Sequence, residues 1–287
     1  MRDTAIALAG AGIDDPRFEA RLLLEHASRL PRERLVSIGR EAASVDAVAA
    51  LRQLTARRVR REPMSHIMGE REFWGLTFHV SADVLTPRPD SETLIEAALT
   101  CLPDRDRAWR ILDLGLGSGC LLAALLTEFP RATGVGVEAS QVARTLALRN
   151  LARHGLEGRA RIDARDWSQS GWTDGLGGPF DLIVSNPPYI PTAAIAGLMP
   201  EVALWEPRPA LDGGADGLSA YRALAPALVG LLAPAGWGLF EGGEGQAIEI
   251  EGICASAGLS PAGRWLDLGG ITRVIGARQE TVGKTAV

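Results

Sequence analysis

Cysteine is scarce in this sequence, and the few that occur stand apart. Cys101, Cys120 and Cys254 are odd in number and show no paired spacing. That argues against a disulfide framework and for a reducing compartment; each reads as a small buried apolar residue. Histidine is nearly as rare. His26, His66, His79 and His154 offer no pair at ligand spacing, so no metal site is expected. Long apolar runs are missing too. The short apolar stretch after Met1-Arg2-Asp3-Thr4 is broken by glycines, leaving no signal-peptide pattern and no segment able to span a bilayer. Nor is there a basic excess. With a net charge of −5 and a pI near 5.5, the chain is a poor match to proteins that neutralise phosphates with Lys and Arg. No direct nucleic-acid contact is expected. These absences leave a soluble cytoplasmic protein. Its 287 residues, 46% of them hydrophobic, suffice for one large domain or two unequal ones.

What is present divides the chain. Residues 1–65 read as a small helical bundle. An Ala/Leu-rich stretch ends at Gly12, Pro16 opens a second helix carrying Phe18, Leu22 and Leu23, and Ser44 caps a third that Pro63 closes. The run Arg57, Arg58, Arg60 and Arg61 has two readings. It is a solvated helix end beside the negative helix terminus, or a docking patch for an acidic partner or RNA.

Residues 66–86 change character. Glu72 to Val80 is aromatic and β-prone around Gly75, which predicts a hairpin joining two domains. A rigid loop follows, Pro87-Arg88-Pro89-Asp90-Ser91-Glu92, entering a helix at Ser91. Polar residues on such a loop are candidates for lining a site, Arg88 first among them. The plainer alternative pairs Arg88 with Glu92.

From residue 87 to 278, β and α patterns alternate, predicting a doubly wound, Rossmann-like α/β sheet closed by a terminal hairpin. Residues 279–287 read as a disordered tail. The first strand, Arg110 to Leu114, runs into Gly115-Leu116-Gly117-Ser118-Gly119 and then a helix. Glycines there let a backbone approach a ligand closely. Glu138 ends the next strand, roughly 20 residues further on, where an acid suits the hydroxyls of a ribose. The spacing is not that of dinucleotide folds. It favours an adenosine-bearing cofactor without a pyrophosphate, such as S-adenosylmethionine. Asp166-Trp167 follows a third strand, where a carboxylate can take the adenine amino group and an indole can pack on the ring.

The fourth strand, Phe180 to Ser185, ends in Asn186-Pro187-Pro188-Tyr189. Two prolines fix φ and remove two donors, so the corner is stiff and holds an amide at the carboxyl end of a strand. Ligands bind there in open α/β sheets. A long Pro- and Gly-rich stretch, 190–218, is then expected to be irregular and functional, a possible lid.

Several of these stretches together carry a family likeness. Gly69-Glu70-Arg71-Glu72-Phe73-Trp74-Gly75, Pro87 to Glu92, Asp113 to Gly119, Asn186 to Tyr189, Glu206-Pro207 and Ala210 to Gly214 resemble the release factor glutamine methyltransferases. The resemblance implies an S-adenosylmethionine-dependent methyltransferase domain behind a helical substrate-docking domain. It implies methylation of the side-chain amide (N5) of the glutamine in the Gly-Gly-Gln motif of class I peptide chain release factors, with S-adenosylhomocysteine as product. It assigns Gly115, Leu116, Gly117, Ser118 and Gly119 to the cofactor's methionine end, Glu138 to its ribose, and Asp166 and Trp167 to its adenine. Asn186, Pro187, Pro188 and Tyr189 bind the target glutamine, with Asn186 also bordering the cofactor and Arg88 helping to hold the substrate. The enzyme is expected to act as a monomer without metal. Three departures stand out: Leu116 where the family usually has Thr, Glu138 for the commoner Asp, and Phe240-Glu241-Gly242-Gly243 for a Glu-Ile-Gly pattern, leaving no role assigned to that last strand end.

The chemistry follows from the corner. An amide nitrogen is a poor nucleophile because its lone pair is delocalised. A site helps by holding it in place and by accepting both N–H hydrogens. The Asn186 side-chain oxygen and the Pro187 carbonyl are the expected acceptors, with Tyr189 packed on the flat amide. A nucleic-acid amino-methyltransferase could use the same corner on a base, and a fold that has lost activity is the other rival.

Overall fold

The computed structural model describes residues 1–38 and 43–279. The expected tail lies outside the described residues, except Gln279, which pairs with Leu259 in the final strand pair. The chain forms two compact units. Met1–Glu70 and Met199–Trp205 make the first, and Arg71–Leu198 with the chain from Glu206 onward makes the second.

The first unit is helical: α1 (Arg2–Gly10), α2 (Pro16–Ser28), α3 (Arg32–Ile38), α4 (Val45–Val59), α5 (Met64–Met68) and, from far along the chain, the single turn α9 (Pro200–Ala203). Asp15 caps α2 by accepting the Phe18 N–H at 3.1 Å, ahead of Pro16 at the first helical position. Ser44 caps α4 through Ala47 N–H at 3.2 Å. α4 stops at Val59, short of Pro63, and α3 has no counterpart in the sequence reading. Leu8, Ile13, Ala20, Leu23, Leu51 and Ile67 form the core.

The arginine run is neither free patch nor solvated end. Arg57 pairs with Glu62. Arg58, side chain 7% exposed, bonds Glu19 at 2.6 Å and Glu201 at 2.8 Å. Arg61 reaches Glu201 at 2.7 Å and the carbonyls of Ala11 and Gly12. Against the pull of burial, Arg61 and Arg58 hold the Glu201 carboxyl below its usual range. Met199–Trp205 is thereby bound into the helical unit, and Trp205 adds an indole bond to the Arg60 carbonyl. Three of the four guanidiniums are thus internal ties, and their partners lie 5, 39 and 140 or more positions away, which local charge density does not show.

The second unit opens with a hairpin, β1 (Glu70–Phe73) and β2 (Leu76–His79). Trp74 and Gly75 both have positive φ, the two-residue turn that matches the strands' twist. Left-handed backbone is unfavourable for tryptophan. Here the Trp74 N–H donates to Glu92 and its indole to Glu128. Phe73 and Phe78 are buried in this unit's core, so the hairpin's side chains pack there.

Then follow α6 (Glu92–Cys101), β3 (Arg110–Leu114), α7 (Cys120–Glu128), β4 (Thr133–Glu138), α8 (Gln141–Arg153), β5 (Ala160–Ala164), β6 (Phe180–Ser185), α10 (Ser219–Leu231), β7 (Leu232–Glu241), α11 (Ala247–Ser256), β8 (Leu259–Leu266) and β9 (Thr272–Gln279). The sheet order is β5-β4-β3-β6-β7-β9-β8. The first five strands are parallel, and β9 runs antiparallel to both neighbours. Alternate residues face opposite layers. Ile111, Leu182 and Val184 join the core that includes α6 and α7, and Leu112, Leu114 and Ile183 the one that includes α10 and α11. α7 is Leu and Ala on every side because it is buried all round.

The order reverses beside β3: β4 and β5 extend one way, β6 and β7 the other. Such a switch point opens a crevice at the carboxyl ends of the strands. The register aligns that edge. Leu114 pairs with both Val137 and Ser185, and Ser185 with Phe240. The next residues, Glu138, Gly115, Asn186 and Glu241, therefore stand side by side.

Candidate active site

A cavity of about 390 Å³ lies at this edge, with Gly115, Glu138, Trp167, Asn186 and Arg88 among its lining residues. Leu116, Gly117, Ser118, Asp166 and Pro188 also border it. Sequence residues separated by a hundred positions thus share one wall. Gly119, which abuts Ala147, and Pro187 and Tyr189 are not among the lining residues.

The glycine turn is needed for its shape. Gly115 has φ +83°, and a methyl group added there would lie 3.1 Å from the Trp167 ring. Its N–H and that of Leu116 both donate to the Val137 carbonyl, while Gly117 N–H donates to Glu138 Oε2 at 2.9 Å. The fold uses these donors itself, and the turn offers a ligand close approach instead. Leu116 fills space above Gly136, where a methyl would meet it at 2.7 Å. Its side chain, 4% exposed, gives packing where a threonine hydroxyl would give a polar contact. Behind the turn, buried Asn150 accepts His79 N–H and donates to the carbonyls of His79 and Ser118, fixing loop to hairpin. Nothing local in the sequence marks it.

Glu138 accepts Gly117 N–H through one oxygen and Ser140 N–H at 2.8 Å through the other. Each oxygen keeps a lone-pair site. Asp166 accepts Ser168 N–H, which holds its carboxyl below the usual range. An indole face, an anchored carboxylate and a glycine turn that a side chain would obstruct fit a nucleoside-bearing molecule of the S-adenosylmethionine kind.

At the other end of the cavity Asn186 donates through Nδ2 to Ser91 Oγ at 2.9 Å. Arg88 does not pair with Glu92. Its guanidinium bonds Glu206 at 3.0 Å, and Glu206 also takes the Thr86 N–H. Glu92 is held by the hairpin instead. Tyr189 turns from the cavity, its phenol donating to Glu241 Oε1 at 3.3 Å and its carbonyl accepting from Gln246.

Two acids missed as site residues lie just beneath this edge. Asp113 and Glu241 are fully buried, and burial pushes each up to about 7. Both Asp113 oxygens and Glu241 Oε2 lack a hydrogen-bond partner. Groups like these cluster at functional sites. The only signal in the sequence was an acid at each strand end. Among the described residues, no three His, Cys, Asp or Glu side chains are grouped to hold a metal, and no helix is long and apolar enough to cross a membrane.

Known proteins match this arrangement along nearly the whole chain. Residues 1–69 match the PrmC N-terminal domain and residues 90–200 the methyltransferase small domain. The chain is 46% identical over 273 residues to the release factor glutamine methyltransferase of Rhodospirillum rubrum, covering 95% of this chain and 82% of that one. It belongs to the release factor glutamine methyltransferases. The Caulobacter vibrioides member is 44% identical over 269 residues, covering 93% and 91% of the two chains. A solved methyltransferase from Pyrococcus furiosus shares the fold at a TM-score of 0.52 and 17% identity, over 78% of this chain and 98% of that one. The chain is therefore a methyltransferase. As a family member it carries its catalytic fold from Arg71 onward, interrupted by the segment that joins the helical unit.

Proposed function

We propose that this enzyme methylates the side-chain amide nitrogen of the glutamine in the Gly-Gly-Gln motif of class I peptide chain release factors, in the cytoplasm and as a monomer. The observation that carries this reading is Asn186. Its amide is anchored through Nδ2 on Ser91 inside the cavity that also holds Glu138 and Trp167. The names of relatives that are 46% and 44% identical support the substrate, and the helical unit is the surface offered to the release factor.

Bound here, S-adenosylmethionine would supply an electrophilic methyl group, with S-adenosylhomocysteine as the product. Gly115 to Gly119 and Glu138 hold its amino-acid and ribose parts, and Asp166 and Trp167 its adenine. Asn186 Oδ1 and the Pro187 carbonyl accept the two N–H hydrogens of the target amide, which turns the nitrogen lone pair away from them. Positioning of this kind lowers the barrier by removing freedom the reactants would otherwise have to lose. Pro188 packs beside the amide, and Arg88, tethered by Glu206, contacts the neighbouring backbone. Tyr189 buttresses the corner from behind. No histidine lines the cavity, and none is needed, since a methylated amide nitrogen sheds its proton readily to water.

The test is methyl transfer from labelled S-adenosylmethionine to a purified release factor, beside a copy with the Gly-Gly-Gln glutamine changed to alanine. Label on the intact factor alone is expected. Label on both, or on RNA in its place, contradicts the proposal.

A further inference from the structure

The corner Asn186-Pro187-Pro188-Tyr189 has few groups by which it can be held. Its two prolines have fixed φ and no N–H to donate, but their ψ angles are free. The entry is secured by the sheet. Ser185 pairs with Leu114 and Phe240, and its hydroxyl donates to the Leu114 carbonyl at 2.7 Å. The exit needs an anchor of its own, and one comes from the strand end to which the sequence assigns no role. Beyond β7 the chain passes through Gly242 and Gly243 to Gln246, the N-cap residue of α11. The Gln246 side chain makes no cap bond. Its amide instead spans two backbone groups: Oε1 accepts the Gly243 N–H at 2.8 Å, and Nε2 donates to the Tyr189 carbonyl at 3.0 Å.

We infer that Gln246 is a positioning residue that fixes the exit of this corner, and with it the placement of Asn186 and the Pro187 carbonyl against the target amide. A backbone N–H only donates and a backbone carbonyl only accepts. Gly243 therefore takes the oxygen end of the Gln246 amide, and Tyr189 takes the NH₂ end. Neither backbone group can exchange its role, so the amide has one orientation. With the entry held by the sheet and φ set by proline, this bond restrains the rotations that remain. Gln246 does not line the cavity. It acts through the Tyr189 carbonyl.

The surroundings leave little slack. A methyl group added at Gly217 would lie 2.3 Å from the Tyr189 carbonyl oxygen and 2.6 Å from Gln246 Nε2. One at Gly243 would lie 2.8 Å from Gln246 Oε1 and 3.2 Å from the Tyr189 ring, and one at Gly213 2.7 Å from the Pro188 carbonyl oxygen. Bare backbone thus closes on the exit from the segment after Asp212 and from the end of β7. The next residue is held too, since Ile190 N–H donates to the Leu211 carbonyl and the Ile190 carbonyl accepts from Gly213. Tyr221 donates to the Glu241 carbonyl at 2.6 Å, which keeps the strand end that supports Gln246 in place.

This inference rests on the glutamine-methylating reading, and its test separates the two. The full-length enzyme is assayed with S-adenosylmethionine and purified release factor as wild type, Gln246→Met, Gln246→Glu, Asn186→Ala and the Gln246→Met/Asn186→Ala pair. S-adenosylmethionine affinity and thermal midpoint are measured on each, and turnover is read well below the lowest midpoint. Gln246→Met keeps the length of the side chain and removes both bonds. It is expected to lower kcat about tenfold, with cofactor affinity and KM for the release factor within about threefold, as misplacement of reacting groups does. Gln246→Glu keeps an acceptor for Gly243 but sets a second acceptor against the Tyr189 carbonyl. At about pH 8, where a glutamate is charged, its kcat is expected to fall at least as far. In the Asn186→Ala background, Gln246→Met is expected to cost at most about threefold, because groups acting as one unit are non-additive. Wild-type kcat in either Gln246 variant overturns the inference, as does an equal loss with and without Asn186. A wild-type enzyme that leaves the release factor unlabelled overturns the reading beneath it instead.

Discussion

Glu138 and Glu241 are the same residue at the same level of the sheet, each the last residue of its strand. Their surroundings make them different groups. Glu138 stands at the cavity, half exposed, with a backbone N–H on each oxygen. Glu241 has no exposed surface, an oxygen without a partner, and a carboxyl pushed by burial to about 7. The first is prepared to receive a ligand's donors. The second keeps its own proton up to about pH 7. A strand-end acid takes its character from the neighbouring strands, since one stands at the cavity beside a glycine turn while the other is enclosed beneath it.

That contrast breaks most sharply on pH. In the fold Glu241 keeps its proton to about pH 7, against 4.5 for an ordinary glutamate. Between these values the folded chain binds more protons than the unfolded one, so stability is highest below 4.5 and falls as pH rises to 7. The loss is on the order of 3 kcal/mol for a shift of this size. Asp113, raised to about 7 in the same way, adds in the same direction. The Glu241→Gln variant is expected to gain on wild type steadily through that window in thermal denaturation series. A constant difference at all pH values would contradict the buried-acid reading.

Glu138→Ala acts on binding. It removes the acceptor proposed for the ribose and the two internal bonds to Gly117 and Ser140 N–H. Titration calorimetry is expected to show S-adenosylmethionine binding weakened about 30-fold, the size of two lost charge-assisted hydrogen bonds. An unchanged affinity would remove Glu138 from the cofactor's contacts.

Leu116→Thr is the mildest change, and sharpens how much of β4 serves packing. The leucine fills the space above Gly136. Trading its buried isobutyl group for a smaller one with a hydroxyl is expected to cost about 1–2 kcal/mol of stability in urea melts, with cofactor affinity little altered. Tighter cofactor binding by the threonine variant would show that the hydroxyl does more than the packing it replaces.

The place of one acid, and not that of the other, was legible in the sequence. Glu138 could be read because its partners are near in the chain: a strand, a glycine turn and an acid follow within one βαβ unit. The Asn186 corner was equally local. So were the β and α alternation, the helix start at Pro16 and the Ser44 cap. Glu241, Ser91, Glu206 and Asn150 depend on pairings fixed by strand order, between residues from 52 to 118 positions apart. Ser91 actively misleads, since a serine opening a helix reads as a cap. The arginine run misleads in a similar way, because its acidic partners come from α2 and from the segment near α9. Local pattern located the strand ends; only the sheet told which side chains meet there.

The most direct test of the account is kcat for release factor methylation by Asn186→Ala, with S-adenosylmethionine affinity measured on the same preparation. The expected result is a loss of turnover of about a hundredfold or more, with cofactor affinity within a few-fold of wild type. Turnover at the wild-type rate with the cofactor bound would mean that the amide at this corner does not hold the reacting nitrogen.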